Sequence, residues 1–188
     1  MLAGGARARS DEMNVGLQAY QEGRYEDAAR AYQRKARSDP GNLAAWVYLG
    51  DALGRIEKPA EARRAYERAL AIDLQCGGCA VAFGSFLYNR DQIEDAMRQY
   101  ERAARLLPDN AQISAYLGDS YLRLDRIEDA LDRYELALAI DPYLVEALSG
   151  MVRASVLAQG MTGARRRLEA LKRVAPDLAA ALETLVAP

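Results

Sequence analysis

The sequence contains no histidine, only two cysteines and no excess of either charge. Without histidine, the chain lacks the commonest general base and the commonest metal ligand of proteins. Two cysteines cannot build a disulfide framework. Lys and Arg total 25 against 27 Asp and Glu, and this net charge of −2 does not suit a nucleic acid, which selects basic surfaces. We therefore expect no enzyme activity, no cofactor, no metal ion and no nucleic-acid partner.

Long apolar runs are also missing. No stretch approaches the roughly 20 apolar residues that cross a bilayer. The start, Met1 to Arg7, lacks the basic segment and apolar core of an intact signal peptide. We therefore expect no direct membrane insertion and, by default, a cytoplasmic protein. The alternative is that an export signal has been removed ahead of residue 1.

What the sequence does have is a repeat of 34 residues. Apolar residues recur at helical spacing in both halves of each unit, with a short turn between the halves, so each unit is predicted to be helix, turn, helix. Small residues let two helices approach, and proline ends the second helix because it cannot donate the intrahelical hydrogen bond. The repeated columns are Ala28, Ala62, Ala96, Ala130 and Ala164; Tyr32, Tyr66, Tyr100 and Tyr134; Gly16, Gly50, Gly84 and Gly118; and Pro40, Pro108, Pro142 and Pro176.

These columns resemble the signature of the tetratricopeptide repeat family. The match is carried in the second unit by Trp46, Leu49, Gly50, Ala62, Tyr66 and Ala69, and in the fourth by Leu117, Gly118, Tyr121, Ala130, Tyr134, Ala137 and Pro142. The resemblance implies an all-α fold, a right-handed superhelical solenoid of about five helix-turn-helix hairpins with a C-terminal capping helix.

The period also sets the expected organisation of the chain. Residues 1–8 are predicted to form a flexible N-terminal segment, residues 9–176 the repeat array, and residues 177–188 the capping helix. The first and last units keep less of the signature, as terminal repeats of solenoids usually do. The predicted units are 9–42, 43–76, 77–110, 111–144 and 145–176.

The resemblance further implies a concave groove lined by the first helix of each unit, where a peptide segment of a partner binds. Small side chains would leave room for the ligand, aromatic ones would pack on it, and acidic ones favour a basic or amide-rich partner segment. The alternative is an ordinary solvated helix face. The predicted groove residues are Ala44, Val47, Asp51, Val81, Ser85, Tyr88, Gln112, Ala115, Tyr116, Asp119, Glu146, Ser149 and Arg153.

A second motif, Cys76-Gly77-Gly78-Cys79, lies where the second unit meets the third. A cysteine near a helix N-terminus has a stabilised thiolate, and two residues between cysteines match the spacing of thiol–disulfide redox motifs. No strand–helix–strand pattern surrounds this motif, and a zinc site would need about four ligands. Three interpretations stay open: a structural or incidental pair, a reversible disulfide, or a metal site shared between two chains.

The sequence therefore predicts a protein-interaction adaptor or scaffold that binds a protein or peptide partner in its groove. One alternative is a structural scaffold that forms homo-oligomers through its terminal repeats, because an open solenoid exposes apolar surface at its ends. Another is a subunit of a bacterial envelope or pilus-assembly complex.

Overall fold

The computed structural model describes residues 4–158 and 160–186 and contains helices but no strand in these ranges. Most helices are 12–14 residues long, about the average for globular proteins. In chain order they are α1 (Gly4–Gln21), α2 (Tyr25–Ser38), α3 (Leu43–Arg55), α4 (Pro59–Ile72), α5 (Gly77–Tyr88), α6 (Ile93–Leu106), α7 (Ala111–Arg123), α8 (Ile127–Ile140), α9 (Val145–Leu157), α10 (Met161–Val174) and α11 (Pro176–Val186).

The helices fall into two compact units, one ending at Phe86 and the other beginning at Leu87, within α5. In the first unit α1 to α4 each contact the next helix in the chain. In the second unit the same is true of α6 to α11, and α9 also contacts both α7 and α11. The predicted all-α array of helix-turn-helix hairpins is confirmed, while the handedness of its superhelix stays a prediction.

The ends of the array can be compared with the predicted boundaries. α1 begins at Gly4, so residues 4–8 of the segment expected to be flexible lie within a helix, while residues 1–3 lie outside the described part. The predicted capping helix corresponds to α11, which packs on α9 and α10. Residues 187–188 also lie outside the described part, and the unit boundaries within the array remain a prediction.

Tyrosine and glycine columns form the core of the hairpins. Tyr32, Tyr66, Tyr100 and Tyr134 are each exposed by 2% or less. A Cβ atom at Gly50 would lie 2.8 Å from the Tyr66 Cζ atom, and one at Gly118 would lie 2.6 Å from the Tyr134 Cε1 atom. Each glycine of the first helix therefore provides the space that the tyrosine ring of the second helix fills. Burial of one such ring contributes on the order of 2–3 kcal/mol.

The turn inside the hairpins also repeats every 34 residues. Gly23, Glu57, Asp91 and Asp125 all adopt the left-handed backbone conformation, with φ between 56° and 75°. Only Gly23 is free of the steric penalty that a Cβ atom brings there. The second helix starts one or two residues later, and its early acidic residues, such as Glu94 and Asp95 in α6, complement the helix dipole.

Within the described residues, no helix combines the length and the apolar character needed to cross a membrane.

Candidate functional site

The predicted groove residues lie on the first helices of successive hairpins. Val47 and Asp51 are on α3, Tyr88 is at the end of α5, and Arg153 is on α9. The exposed members of the set are Ala44, Glu146 and Arg153, and the half-buried members are Val47, Asp51, Val81, Ser85, Tyr88, Gln112, Tyr116 and Asp119. Whether these residues line one groove stays a prediction.

Two of the predicted groove residues do not reach the surface. Ala115 is fully buried, and Ser149 is 8% exposed with its hydroxyl donating to the carbonyl oxygen of Glu146 at 3.0 Å. The small side chains at these positions allow helices to pack closely, since α7 contacts both α8 and α9. The expectation that Ala115 and Ser149 leave room for a ligand is therefore wrong.

The first unit holds a carboxylate in contact with a buried tyrosine. The hydroxyl of Tyr66, on α4, donates to the Asp51 Oδ1 atom at 2.5 Å. Arg55, one turn beyond Asp51, donates to the Tyr25 hydroxyl at 2.9 Å and lies 4.9 Å from the centre of that ring. The Tyr20 ring packs edge-on against Tyr25 at 5.0 Å. We call Tyr20, Asp51, Arg55 and Tyr66 the first carboxylate site.

The second unit repeats this arrangement 68 residues later. The Tyr134 hydroxyl donates to the Asp119 Oδ1 atom at 2.6 Å, and Arg123 lies 5.7 Å from the centre of the Tyr88 ring. Here α9 adds a further partner, because the Arg153 Nη2 atom donates to the same oxygen of Asp119 at 3.1 Å. We call Tyr88, Asp119, Arg123, Tyr134 and Arg153 the second carboxylate site.

Burial dominates the electrostatics of both carboxylates. It raises the pKa of Asp51 above its ordinary value, and the hydrogen bond from Tyr66 opposes this shift. Burial also raises the pKa of Asp119, where Tyr134 and Arg153 both act to lower it. The tyrosine hydroxyls stay protonated, because burial and the neighbouring carboxylates raise the pKa of both Tyr66 and Tyr134. Each tyrosine is therefore a fixed hydrogen-bond donor.

Sequence reasoning missed several members of the two sites as functional residues. Tyr20, Arg55 and Arg123 were not predicted to take part, and Tyr66 and Tyr134 were interpreted as core residues only. The signal that identifies them is a period of two repeats, because Tyr20 and Arg55 recur as Tyr88 and Arg123 exactly as far along the chain as Asp51 recurs as Asp119.

The two cysteines form a disulfide bond between Cys76 and Cys79, with their Cα atoms 5.3 Å apart. Cys79 is 2% exposed, whereas Cys76 is partly accessible. Whether this bond is reversible stays a prediction. In the described part of the chain, no three His, Cys, Asp or Glu side chains cluster closely enough to hold a metal ion.

The fold and its repeated core define a class of protein, the all-helical repeat proteins built from stacked hairpins. Residues 16–74 and 82–145 match the tetratricopeptide repeat family. These matches cover well over half of the chain, and the chain belongs to the tetratricopeptide repeat family. Its fold is that of a protein-interaction scaffold.

Solved structures share this fold at low sequence identity. PilF of Pseudomonas aeruginosa is 21% identical with a TM-score of 0.79, over 97% of this chain and 89% of its own. MamA from Desulfovibrio magneticus is 17% identical with a TM-score of 0.75, over 94% and 96%. YrrB, described as a tetratricopeptide repeat protein with an unusual peptide-binding site, is 19% identical with a TM-score of 0.72, over 92% and 90%. No curated protein sequence matches the chain significantly.

Proposed function

We propose that this protein is a non-enzymatic adaptor that binds an extended peptide segment of a partner protein, and that Asp51 receives a Lys or Arg side chain of that segment. The observation that carries the proposal is the contrast between two equivalent carboxylates. Asp119 has the guanidinium of Arg153 within hydrogen-bond distance. At the matching position of the first unit stands Ser85, which carries no charge, and none of the described residues supplies a cation to Asp51.

The chemistry of the first carboxylate site favours a cationic ligand. A half-buried carboxylate loses part of its hydration, and a cation compensates for this loss better than a neutral group does. Arginine can also donate two parallel hydrogen bonds to one carboxylate. The hydroxyl of Tyr66 already holds the Asp51 Oδ1 atom, so the carboxylate is oriented before a ligand arrives.

Aromatic rings next to Asp51 strengthen this preference. Burial and the charge of Asp51 both raise the pKa of Tyr20, which indicates that this tyrosine lies within electrostatic reach of the carboxylate. Tyr48 is 43% exposed on the same helix and packs on Tyr32 at 5.5 Å. A guanidinium at Asp51 would meet ring faces as well as a negative charge, a combination that binds arginine well.

A protein partner is also consistent with the comparisons. The family consists of protein-interaction repeats, and one structure of the same fold is described as having a peptide-binding site. We propose that the other accessible groove residues contact the same partner segment. These are Ala44, Val47, Val81, Ser85, Tyr88, Gln112, Tyr116 and Glu146.

The test is a selection of displayed peptides on the purified full chain. Four random ten-residue libraries carry a fixed central Arg, Lys, Gln or Glu, and each is selected on the parent protein and on an Asp51→Asn variant. We expect the parent to enrich the Arg and Lys libraries at least tenfold over the Gln library, and we expect Asp51→Asn to abolish this preference. Loss of one such charge-assisted contact costs roughly 1.5–3 kcal/mol, which corresponds to more than a tenfold loss of affinity.

Asp119→Asn is the matched control, because Asp119 has the same tyrosine contact but is already paired with Arg153. This variant should select the same basic peptides as the parent. If Asp51→Asn selects the same basic peptides with equal strength, the assignment of Asp51 is wrong. If no library is enriched on the parent, the adaptor function itself is contradicted.

A self-associating scaffold is the second candidate. The observation that favours it is a group of exposed apolar side chains on the last three helices, Leu157, Val174, Leu178 and Leu185. Light scattering at two protein concentrations distinguishes the candidates. A molar mass that stays at 20.7 kDa favours the adaptor, and one that rises with concentration favours self-association.

A further inference from the structure

The disulfide lies at the start of α5. The carbonyl oxygen of Cys76 accepts a hydrogen bond from the Ala80 amide at 3.2 Å, the first i to i+4 bond of the helix. The Cys76 Sγ atom accepts one from the Cys79 amide at 3.1 Å. Cys76 therefore occupies the N-cap position, where a side-chain acceptor normally satisfies a free amide of the first turn.

The two sulfurs differ in their access to solvent. Cys79 is 2% exposed, whereas Cys76 is partly exposed and is followed closely by the exposed Gly78. A Cβ atom placed at Gly78 would have no neighbour within 4 Å, so the space beside the first turn is open. An external thiol can therefore approach the bond from the side of Cys76, whereas the protein covers Cys79.

The position at the helix start also favours opening of the bond. Breaking the bond leaves a thiolate on Cys76, next to the amide of Cys79 and at the positive end of the helix dipole. Such surroundings stabilise thiolates, and stabilisation of the reduced form makes a disulfide easier to reduce. Two glycines between the cysteines leave the first turn without bulky side chains that would hinder the incoming group.

We propose that Cys76 and Cys79 form a redox-active pair, which exchanges with external dithiols through the sulfur of Cys76. One thiolate of the dithiol attacks the Cys76 Sγ atom and forms a mixed disulfide. The bond between the two cysteines breaks, its electron pair leaves on the Cys79 sulfur, and that sulfur takes a proton from water. The second thiolate of the dithiol then attacks its own bound sulfur and releases Cys76 as a thiolate. The dithiol loses two electrons, and the protein disulfide gains them.

Two single variants test which sulfur reacts. The Cys79→Ala variant keeps only Cys76, and the matched Cys76→Ala variant keeps only Cys79. Both full-length variants are alkylated with iodoacetamide at pH 6 and pH 7, and the rates are followed by mass spectrometry. We expect Cys76 to react at least tenfold faster than Cys79, because it is accessible and its thiolate is stabilised. Equal rates, or faster reaction of Cys79, would overturn the proposal.

A measurement on the unaltered chain tests reversibility. The protein is equilibrated in mixtures of reduced and oxidised glutathione, quenched with acid, and treated with a maleimide so that free thiols are counted by mass. We expect at least half of the molecules to carry two free thiols in a tenfold excess of reduced glutathione, and fewer than one in ten in a tenfold excess of the oxidised form. A bond that stays closed in both mixtures, or thiols that stay free in both, would contradict a reversible pair.

Helical circular dichroism must stay unchanged in the two variants. If a variant loses helicity, the alkylation is instead performed on the unaltered chain after reduction. The alkylated position is then located in proteolytic fragments, where modification at Cys76 before Cys79 supports the proposal and the opposite order overturns it.

Discussion

Asp51 and Asp119 are equivalent in position and in their tyrosine partner, yet their charges are balanced differently. Arg153 of α9 reaches Asp119, so the second carboxylate site contains its own cation. The corresponding residue of the first site is Ser85. The same geometry therefore serves as an internal ion pair in the second unit and, in our proposal, as a receptor for an external cation in the first.

The rings that hold these carboxylates are also packed differently. Tyr66 has Gly50 on one side and, on the other, the rings of Phe83 and Phe86 at 5.3 and 5.2 Å. Tyr134 lies instead between two glycines, Gly118 and Gly150. The comparison shows that one repeat framework can hold its central tyrosine either by aromatic packing or by close backbone contact.

The largest expected effect follows from this packing difference. Gly150→Ala introduces a Cβ atom 2.3 Å from the Tyr134 Cζ atom, and the ring cannot withdraw because it is buried and bound to Asp119. Overpacking costs about 3 kcal/mol, and the higher helix propensity of alanine returns about 1 kcal/mol. We expect the free energy of unfolding to fall by about 2 kcal/mol in urea titrations.

Gly50→Ala is the matched change in the first unit. Its Cβ atom would lie 2.8 Å from the Tyr66 Cζ atom, so we expect a smaller loss than for Gly150→Ala. If Gly150→Ala unfolds at the same urea concentration as the parent, the Tyr134 ring can move aside. The proposed rigidity of the second carboxylate site would then be incorrect.

A smaller effect is expected from pH. The pKa of Asp51 is higher in the folded protein than its ordinary value of 3.8, so the folded state keeps this proton while the unfolded state loses it. This carboxyl contributes stability below about pH 4, and the contribution is lost as the pH rises through the folded pKa. Asp51→Asn cannot titrate, so its free energy of unfolding should gain on that of the parent between pH 4 and pH 7.

Asp119→Asn sharpens this prediction. The gain at pH 7 should be smaller there than for Asp51→Asn, because removing the charge also breaks the ion pair with Arg153. Urea unfolding of both variants at pH 4, 5.5 and 7 measures the difference. Equal pH profiles for the two variants would mean that Arg153 does not distinguish the two sites.

The smallest effect concerns the turns. Glu57 in the first unit and Asp125 in the second both have positive φ, at 56° and 57°. Glu57→Gly should raise the free energy of unfolding by about 0.5 kcal/mol, since relief of the left-handed strain exceeds the entropy cost of glycine. Asp125→Gly should gain less, because aspartate tolerates this conformation better than glutamate. Thermal unfolding followed by circular dichroism compares the two, and a larger gain for Asp125→Gly would contradict the explanation.

Much of the fold could be predicted from the sequence, because the 34-residue period is carried by residues that pack against one another. The tyrosine and glycine columns mark the core of each hairpin, and Gly50 and Tyr66 do meet in space. The sequence pattern does not show which ring atom a glycine faces, or that Phe83 stacks on Tyr66, because rotamers depend on neighbouring helices.

The candidate site was less predictable. Asp51, Asp119 and Arg153 could be placed on the right helices by counting along the repeat, but counting also selected Ala115 and Ser149, which are buried. A small residue looks the same in the sequence whether it faces a ligand or a neighbouring helix. The pairing of Arg153 with Asp119 depends on a long side chain crossing between helices, which periodicity alone does not determine.

The two-repeat spacing has a consequence for how such a chain can change in length. Residues 43–110 contain Asp51, Arg55, Tyr66 and Tyr88, which together supply every conserved type of group in a carboxylate site. Insertion of one more copy of this segment would add one more site to the chain. The valency of the protein could thus grow by gene duplication in whole steps, and the residue at the position of Arg153 would decide whether each new site stays open or closes on itself.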